Sequence, residues 1–262
     1  MVLLEKETTA AAPARGVGVL RTLIQIVGEL LITVGVVLLL FVAWQLWWTN
    51  VESDAKQSET IRNFAQELGG SPAPAEPPGP AASMPADYGP PKVAEAPGHG
   101  QTIGIMYIPR FGADYTRPIV QGTSTDVLDT LGLGHYNDTA MPGATGNFAV
   151  AGHRQTHGAV LDNIHTLVPG DKIYVQTRDG FYVYVFRNNQ IVLPSATDVL
   201  LPVPTQPAAK PTEAYLTMTS CNPRFGAQER IIAYSLLEHW QPASAGPPAE
   251  IAAQVAKALG KV

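Results

Sequence analysis

Residues 30–48 form an uncharged stretch that restricts the surroundings in which this chain can fold. The sequence there reads LLITVGVVLLLFVAWQLWW. As a helix rising about 1.5 Å per residue it would be about 28 Å long, which matches the hydrocarbon core of a bilayer. Trp44, Trp47 and Trp48 cluster at its C-terminal end, where aromatic side chains meet the lipid headgroups. The stretch therefore predicts a membrane-spanning helix.

A signal peptide that is later removed is the main alternative to an anchor. The apolar core of a signal peptide has about 7–15 residues and ends in a cleavage site made of small residues. Here Trp47-Trp48-Thr49-Asn50 follows the apolar stretch instead, so we expect an uncleaved anchor.

The charges that flank the apolar stretch predict its orientation. Lys6, Arg15 and Arg21 precede it, whereas Glu52 and Asp54 lead the residues that follow it. Basic residues favour the cytoplasmic side of a membrane. We therefore expect a single-pass cell-membrane protein with a cytoplasmic N-terminus and an extracellular folded domain.

Composition divides the chain into five predicted segments. Residues 1–22 are a cytoplasmic N-terminus, 23–49 the transmembrane anchor, and 50–100 an extracellular stalk with a Pro/Gly-rich linker. Residues 101–240 form the folded domain, and 241–262 are a C-terminal tail with a short helix. These limits follow the changes in charge, Pro and Gly content along the chain.

The linker and the stalk differ in what they can form. Residues 51–68 are expected to form a short helix where the chain leaves the membrane. Residues 69–98 contain nine Pro and five Gly, a composition that favours an extended spacer over a packed structure. We interpret residues 69–98 as a tether.

The folded domain is predicted to be rich in β-structure. Short apolar runs are separated by turn residues, and few segments have helical spacing; many short strands with few helices favour a sandwich or a barrel. The expected strands are 103–108, 146–151, 172–176, 181–186, 190–193, 214–219 and 230–237, with a hairpin turn at Arg187-Asn188-Asn189 and short helices at Thr125–Leu131 and Val160–Leu167.

Charge and cysteine content exclude several functions. With 17 Lys+Arg against 22 Asp+Glu, the net charge is −5, which argues against nucleic acid as a partner. A single Cys excludes an internal disulfide framework and any metal site built from several cysteines.

That single cysteine, Cys221, is placed where a nucleophile would be. It ends the β-like run from Tyr215, and Asn222-Pro223 follows at once, where Pro stops a strand ladder. Reactive groups are commonly found where a rigid strand meets a loop. A buried structural cysteine is the alternative interpretation.

A thiol nucleophile needs a proton partner and an anion stabiliser. Of the six histidines, His153 directly follows the strand-like run that ends at Gly152. Arg230 opens the last predicted strand, nine residues after Cys221. If the strands of Cys221 and Arg230 are neighbours, the guanidinium could bind a carbonyl oxygen as it becomes an oxyanion.

A zinc site is the alternative use of the histidines. His153 and His157 have the four-residue spacing of a zinc-binding helix, with Asp162 or His165 as a third ligand. The glutamate of such helices is missing, and the segment follows a strand-like run. We therefore predict no metal and no cofactor.

The segment Thr217-Met-Thr-Ser-Cys221, followed by Asn-Pro-Arg-Phe225, resembles the Thr-Leu-x-Thr-Cys active-site motif of the sortases. Gly152-His153-Arg154 and Arg230 match the family's His and Arg in order and approximate spacing. The resemblance covers residues 102–240 and is greatest to class E, the housekeeping sortases of high-GC Gram-positive bacteria. Met218 and Ser220 stand where the family has Leu and Thr.

The resemblance implies a closed eight-stranded β-barrel and a cysteine transpeptidase. Cys221 would be the nucleophile, His153 the general acid/base and Arg230 the oxyanion or substrate-positioning group. Thr219, Ser220 and Asn222 would contact the substrate.

The implied partners are surface proteins that carry a C-terminal sorting signal resembling LPxTG or LAxTG. The signal would be cleaved between Thr and Gly through a thioacyl-enzyme, and transferred to a cell-wall amine of a lipid II-like peptidoglycan precursor. Three alternatives stay open here: a thiol hydrolase on the same scaffold, a non-catalytic extracellular binding module, and a zinc hydrolase that uses His153 and His157.

Overall fold

The computed structural model describes residues 15–68 and 87–260. The chain divides between Trp47 and Trp48 into two compact units. Helix α1 runs from Arg15 to Glu67, and its residues from Trp48 onward belong to the second unit. Among the described residues, Gly18–Glu67 is the one helical stretch that has the length and composition to cross a membrane.

The second unit contains eight strands and two further helices. These elements are β1 (Thr102–Tyr107), β2 (Thr116–Gln121), α2 (Thr125–Leu128), β3 (Leu133–His135), β4 (Gly146–Ala151), β5 (Lys172–Gln176), β6 (Gly180–Val192), β7 (Ala214–Asn222), β8 (Glu229–Pro242) and α3 (Ala252–Ala258).

The eight strands close into a barrel. In the order β1-β2-β3-β4-β7-β8-β6-β5 each strand pairs with the next, and β5 pairs back with β1. The β2–β3 and β4–β7 pairs are parallel and the others antiparallel. The prediction of a closed eight-stranded barrel is therefore confirmed.

Apolar side chains are buried on both faces of part of the barrel wall. Phe148, Tyr184 and Met218 belong to the larger cluster, whereas alternate residues of the same sheet, such as Ile105 and Val183, belong to a second cluster. Successive side chains of a strand point to opposite faces, so the two clusters lie on opposite sides of the wall. This explains why the β6 sequence from Phe181 to Phe186 shows no alternation of apolar and polar residues.

Two helical segments cover the second cluster, which we call the outer cluster. Ile61 and Phe64 come from the C-terminal part of α1, and Ile251 and Val255 come from the start and middle of the α3 region. Phe64 is only 1% exposed. Residues that the sequence predicted as a stalk helix and a tail helix therefore pack against the barrel.

The predicted hairpin at Arg187-Asn188-Asn189 is wrong. These residues lie inside β6, which runs without a turn to Val192. The partner strand β8 is 14 residues long. It pairs with β6 as far as Val192, which lies opposite Arg230. A shift in register after Phe186 absorbs the irregular sequence.

The end of the predicted linker also contacts the barrel. Trp240 donates its indole N–H to the carbonyl oxygen of Gly89 at 2.7 Å, and the Tyr182 hydroxyl donates to the carbonyl oxygen of Lys92. Residues 69–86 of the predicted tether and residues 1–14 of the predicted cytoplasmic segment lie outside the described residues. The five segment limits remain predictions.

The cover of the outer cluster yields a stability test. We expect Phe64→Ala to destabilise the full chain by about 3–5 kcal/mol, because it removes a buried aromatic side chain and leaves a cavity. Thermal unfolding in detergent micelles measures this. Phe225→Ala is the matched control, since Phe225 is 83% exposed and its loss should leave the midpoint unchanged. Equal midpoints for the two variants would show that the α1 segment does not pack on the barrel.

Candidate active site

A cleft of about 380 Å³ opens where β4 and β7 end and β8 begins. Its walls come from these three strands and from the segments around α2 and β3. The lining residues are Thr123, Leu128, Tyr136, Ala151, Gly152, His153, Thr219, Ser220, Cys221 and Arg230. Cys221, His153 and Arg230, which the sequence placed in one site, are therefore brought together.

The pairing of β7 with β8 places the thiol beside the guanidinium. Cys221 lies directly opposite Arg230 in this antiparallel pair, and directly opposite side chains share one face of a sheet. The thiol is partly exposed. Nη1 of Arg230 donates to the carbonyl oxygens of Ala227 and Glu229, at 3.0 and 2.9 Å, which anchors the side chain to the backbone where β8 begins.

Gly152 carries the chain from β4 to the cleft. Ala151 pairs with Thr219 of β7, and the Gly152 N–H donates to the Thr219 carbonyl oxygen at 3.1 Å. A Cβ atom on Gly152 would lie 2.6 Å from Val160 and 2.8 Å from Leu133, so a larger residue would displace the core beneath the cleft. Glycine at this position lets His153 follow the strand end closely.

The His153 ring is held by a carboxylate that the sequence analysis did not identify. Nε2 of His153 lies 2.6 Å from Oδ1 of Asp129. The backbone carbonyl oxygen of Asp129 accepts hydrogen bonds from the Ser53 hydroxyl at 2.8 Å and from Nδ1 of His157 at 3.0 Å. Asp129 is thus fixed at its backbone and binds the imidazole with its side chain.

Arg154 holds the end of β7 through hydrogen bonds to Cys221 and Asn222. Its Nη1 donates to the carbonyl oxygen of Cys221 at 3.2 Å and to Oδ1 of Asn222 at 2.6 Å. Burial lowers the pKa of the Arg154 guanidinium, and the carboxylate of Asp162 opposes this shift. The backbone at Cys221 is therefore fixed by a buried cation.

The three residues expected to contact substrate lie in different surroundings. Thr219 lines the cleft, and its hydroxyl is 2.9 Å from the Tyr136 hydroxyl. Ser220 also lines the cleft, but its hydroxyl donates to the Gly152 carbonyl oxygen at 2.7 Å. Asn222 is outside the lining; its amide nitrogen donates to the Glu229 carboxylate at 2.7 Å. Their contacts with substrate remain predictions.

The side chain that converges with His153 and His157 is neither of the two residues expected as a third zinc ligand. Among residues 15–68 and 87–260, the one set of three metal-ligand side chains that converge is Asp129, His153 and His157. Asp162 instead forms a two-pronged ion pair with Arg224, at 2.7 and 2.6 Å. His165 bonds through Nδ1 to the Asp162 carbonyl oxygen.

Three features of the site were not predicted from the sequence: Asp129, Tyr136 and the contacts of Arg154. Asp129 follows the short helix α2 and has no motif of its own. The Gly-His-Arg triplet, in which Arg154 follows His153, was the one sequence feature that could have indicated Arg154. Their roles depend on contacts between residues far apart in the chain.

Comparison with known proteins identifies the class of protein to which this barrel and cleft belong. Residues 106–238 match the family described as Sortase domain. The chain therefore belongs to the sortase family, as the resemblance of its motifs indicated.

The similar proteins include class E sortases. The chain is 36% identical over 249 residues to Sortase SrtE1 of Streptomyces coelicolor, covering 92% of this chain and 65% of SrtE1. It is 32% identical to Sortase SrtE2 of the same organism, covering 82% of this chain and 81% of SrtE2. The crystal structure of Sortase E1 from Streptomyces coelicolor with a tripeptide in the active site has a TM-score of 0.54 and 39% identity, and the match covers 60% of this chain and 99% of that one.

The exposure of Cys221 predicts how the native thiol reacts. We expect iodoacetamide to modify one thiol per folded chain, because the sulfur lies in an open cleft. Mass spectrometry would compare the labelling rate before and after unfolding in guanidinium chloride, with Cys221→Ala as the unlabelled control. Labelling only after unfolding would show that the sulfur is sealed in the wall.

Proposed function

We propose that this chain is a membrane-anchored sortase-type cysteine transpeptidase. The observation that supports this most is the single cleft lined by Cys221, His153 and Arg230, each at the end of a different strand of one rigid barrel. A thiol, an imidazole and a guanidinium supply a nucleophile, a proton carrier and an anion stabiliser.

The first half-reaction forms a thioacyl-enzyme. The Cys221 sulfur attacks the carbonyl carbon of the Thr–Gly bond in a sorting signal that resembles LPxTG or LAxTG, and the thiol proton passes to His153. The carbon–nitrogen bond then breaks, and His153 gives a proton to the departing glycine amine. In the second half-reaction an amine attacks the thioester carbonyl and the carbon–sulfur bond breaks. The proton that the amine loses passes through His153 to the departing sulfur, which regenerates the thiol. Two easier steps replace one difficult amide exchange.

Asp129 defines which nitrogen of His153 exchanges the proton. Because Nε2 is bonded to the Asp129 carboxylate, Nδ1 is the nitrogen that serves the reacting groups. A carboxylate on Nε2 also holds the imidazole in one tautomer and one orientation. We therefore assign Asp129 as the positioning residue of His153.

Arg230 is assigned to the developing oxyanion. Its planar group of N–H donors suits an oxygen that gains negative charge. Its position opposite Cys221 on the same sheet face supports this assignment, because the carbon under attack would lie next to the sulfur. The hydrogen bonds from Nη1 to the carbonyl oxygens of Ala227 and Glu229 restrain the side chain in this position.

The N-terminal helix supports an extracellular, single-pass arrangement. Large apolar side chains from Val19 to Trp48 are exposed around α1, as expected of a helix that faces lipid. The positive flank precedes this stretch, which favours a cytoplasmic N-terminus. The barrel would then face the cell wall, where surface proteins and the amine of a lipid II-like precursor are found.

A peptide assay tests the function. We expect mass spectrometry of the full chain in detergent, incubated with an LAxTG-type peptide, to show a thioacyl adduct on Cys221. The adduct should disappear when an amine acceptor is added, with formation of the ligated product. Cys221→Ala should form neither species while it keeps the unfolding temperature of the wild type. Cleavage by the Cys221→Ala variant would refute the mechanism, and hydrolysis without ligation would indicate a thiol hydrolase.

The role of Asp129 gives a separate prediction. We expect Asp129→Asn to lower kcat by about 10- to 100-fold, a part of what a general acid–base group contributes, with a smaller change in KM. Steady-state kinetics with the same peptide measures both constants. Asp126→Asn is the matched control, because Asp126 is an exposed carboxylate near Asp129 that bonds His99. Equal kcat values for the two variants would remove Asp129 from the site.

A further inference from the structure

Asp129, His153 and His157 converge on one point at the edge of the cleft. One ligand atom of each lies within 4.8 Å of the other two. Oδ1 of Asp129 is 2.6 Å from Nε2 of His153 and 4.0 Å from Nε2 of His157. Two imidazoles and a carboxylate are a donor set that suits zinc.

The separations are close to those of ligands that share one ion. Zinc–nitrogen and zinc–oxygen bonds of about 2.0–2.2 Å place two ligand atoms of a tetrahedral site about 3.3 Å apart. The 2.6 and 4.0 Å separations lie on either side of that distance, so rotations of side chains that are about one-third exposed would complete the set. The fourth position would stay open to solvent.

The hydrogen bonding of His157 prepares it as a ligand. Nδ1 of His157 donates to the carbonyl oxygen of Asp129, so Nε2 keeps its lone pair and lies toward the carboxylate. Metal-bound histidines typically donate their second ring nitrogen to a carbonyl or carboxylate in this way, which fixes the tautomer and the ring orientation.

The backbone at His157 is held in a conformation that most residues avoid. His157 and Ala159 have φ angles of 53° and 46°, with Gly158 between them at 83°. Such left-handed residues persist when their surroundings hold them, and they are concentrated at functional sites. Helix α1 holds this turn: Asn50 accepts from the Gly158 N–H at 2.9 Å, and Gln57 donates to the His157 carbonyl oxygen at 3.3 Å.

We propose that Asp129, His153 and His157 form a zinc site and that zinc binding there switches off the transpeptidase. The second half of this inference rests on the proposed function. With zinc on Nε2, the imidazole carries its one proton on Nδ1. It can then no longer accept a proton from the Cys221 thiol, so the acyl-transfer cycle stops at its first step.

Zinc binding is tested without any catalytic readout. The Cys221→Ala chain in detergent is titrated with zinc chloride by calorimetry, because this variant removes the thiol as a competing ligand. We expect one zinc ion per chain. His157→Asn, which keeps a residue tolerant of positive φ, should weaken binding about tenfold or more. His165→Asn is the matched control and should bind as tightly as its parent.

Three outcomes would overturn the zinc site. These are no saturable binding, equal affinities for the His157→Asn and His165→Asn chains, and loss of binding on going from the wild type to Cys221→Ala. Thermal unfolding without metal checks that each variant folds. If His157→Asn does not fold, Asp129→Asn in the Cys221→Ala chain replaces it. Zinc affinity equal to that of His165→Asn would then refute the site.

The switch is tested separately in the wild type. We expect zinc to suppress thioacyl adduct formation with the LAxTG-type peptide and EDTA to restore it. The ratio of rates with and without zinc should be nearer to one in His157→Asn than in His165→Asn. Bound zinc without a change in rate would refute the switch. A chain that binds zinc but never forms an adduct would leave the site in place and refute the proposed function instead.

Discussion

The parallel register of β4 and β7 is the constraint on which the site depends. Ala151 lies opposite Thr219, and because the two strands run in the same direction, the residues two positions further along each chain leave the barrel at the same edge. Those residues are His153 and Cys221. The antiparallel strand β8 begins at this edge, which brings Arg230 opposite Cys221. An antiparallel β4–β7 pair would have sent His153 to the other end of the barrel.

Asp129 connects this edge to the helix that precedes the barrel in sequence. Its side chain binds His153, and its carbonyl oxygen accepts from Ser53 of α1. Ser53 is 3% exposed, and a hydroxyl buried to that degree costs free energy unless it is bonded. One residue, Asp129, therefore contacts both the C-terminal part of α1 and the imidazole of His153.

The site residues that could be predicted from the sequence were those whose positions follow from adjacent residues in the chain. Cys221 and His153 each end a β-like run, and Arg230 opens one, so their positions followed from neighbouring residues and from the family motif. The barrel itself came from the family resemblance, since short strands alone left a sandwich open. Asp129 could not be predicted in this way, because it lies 24 residues from His153 in the chain and reaches it only when β3 pairs with β4. The mistaken hairpin at Asn188 has a similar origin: β6 stays extended from Asn188 to Val192 because these residues pair with residues 230–234 of β8, which lie far away in the chain.

Strand alternation also assigns different tasks to neighbouring residues of β7. Thr219 and Cys221 share the face on which Arg230 lies, whereas the Ser220 hydroxyl ties β7 to β4 through the Gly152 carbonyl. Asn222 bonds both Arg154 and Glu229, and a substrate contact from its amide would first have to break one of these bonds. Thr219 lines the cleft, where its hydroxyl lies 2.9 Å from the Tyr136 hydroxyl.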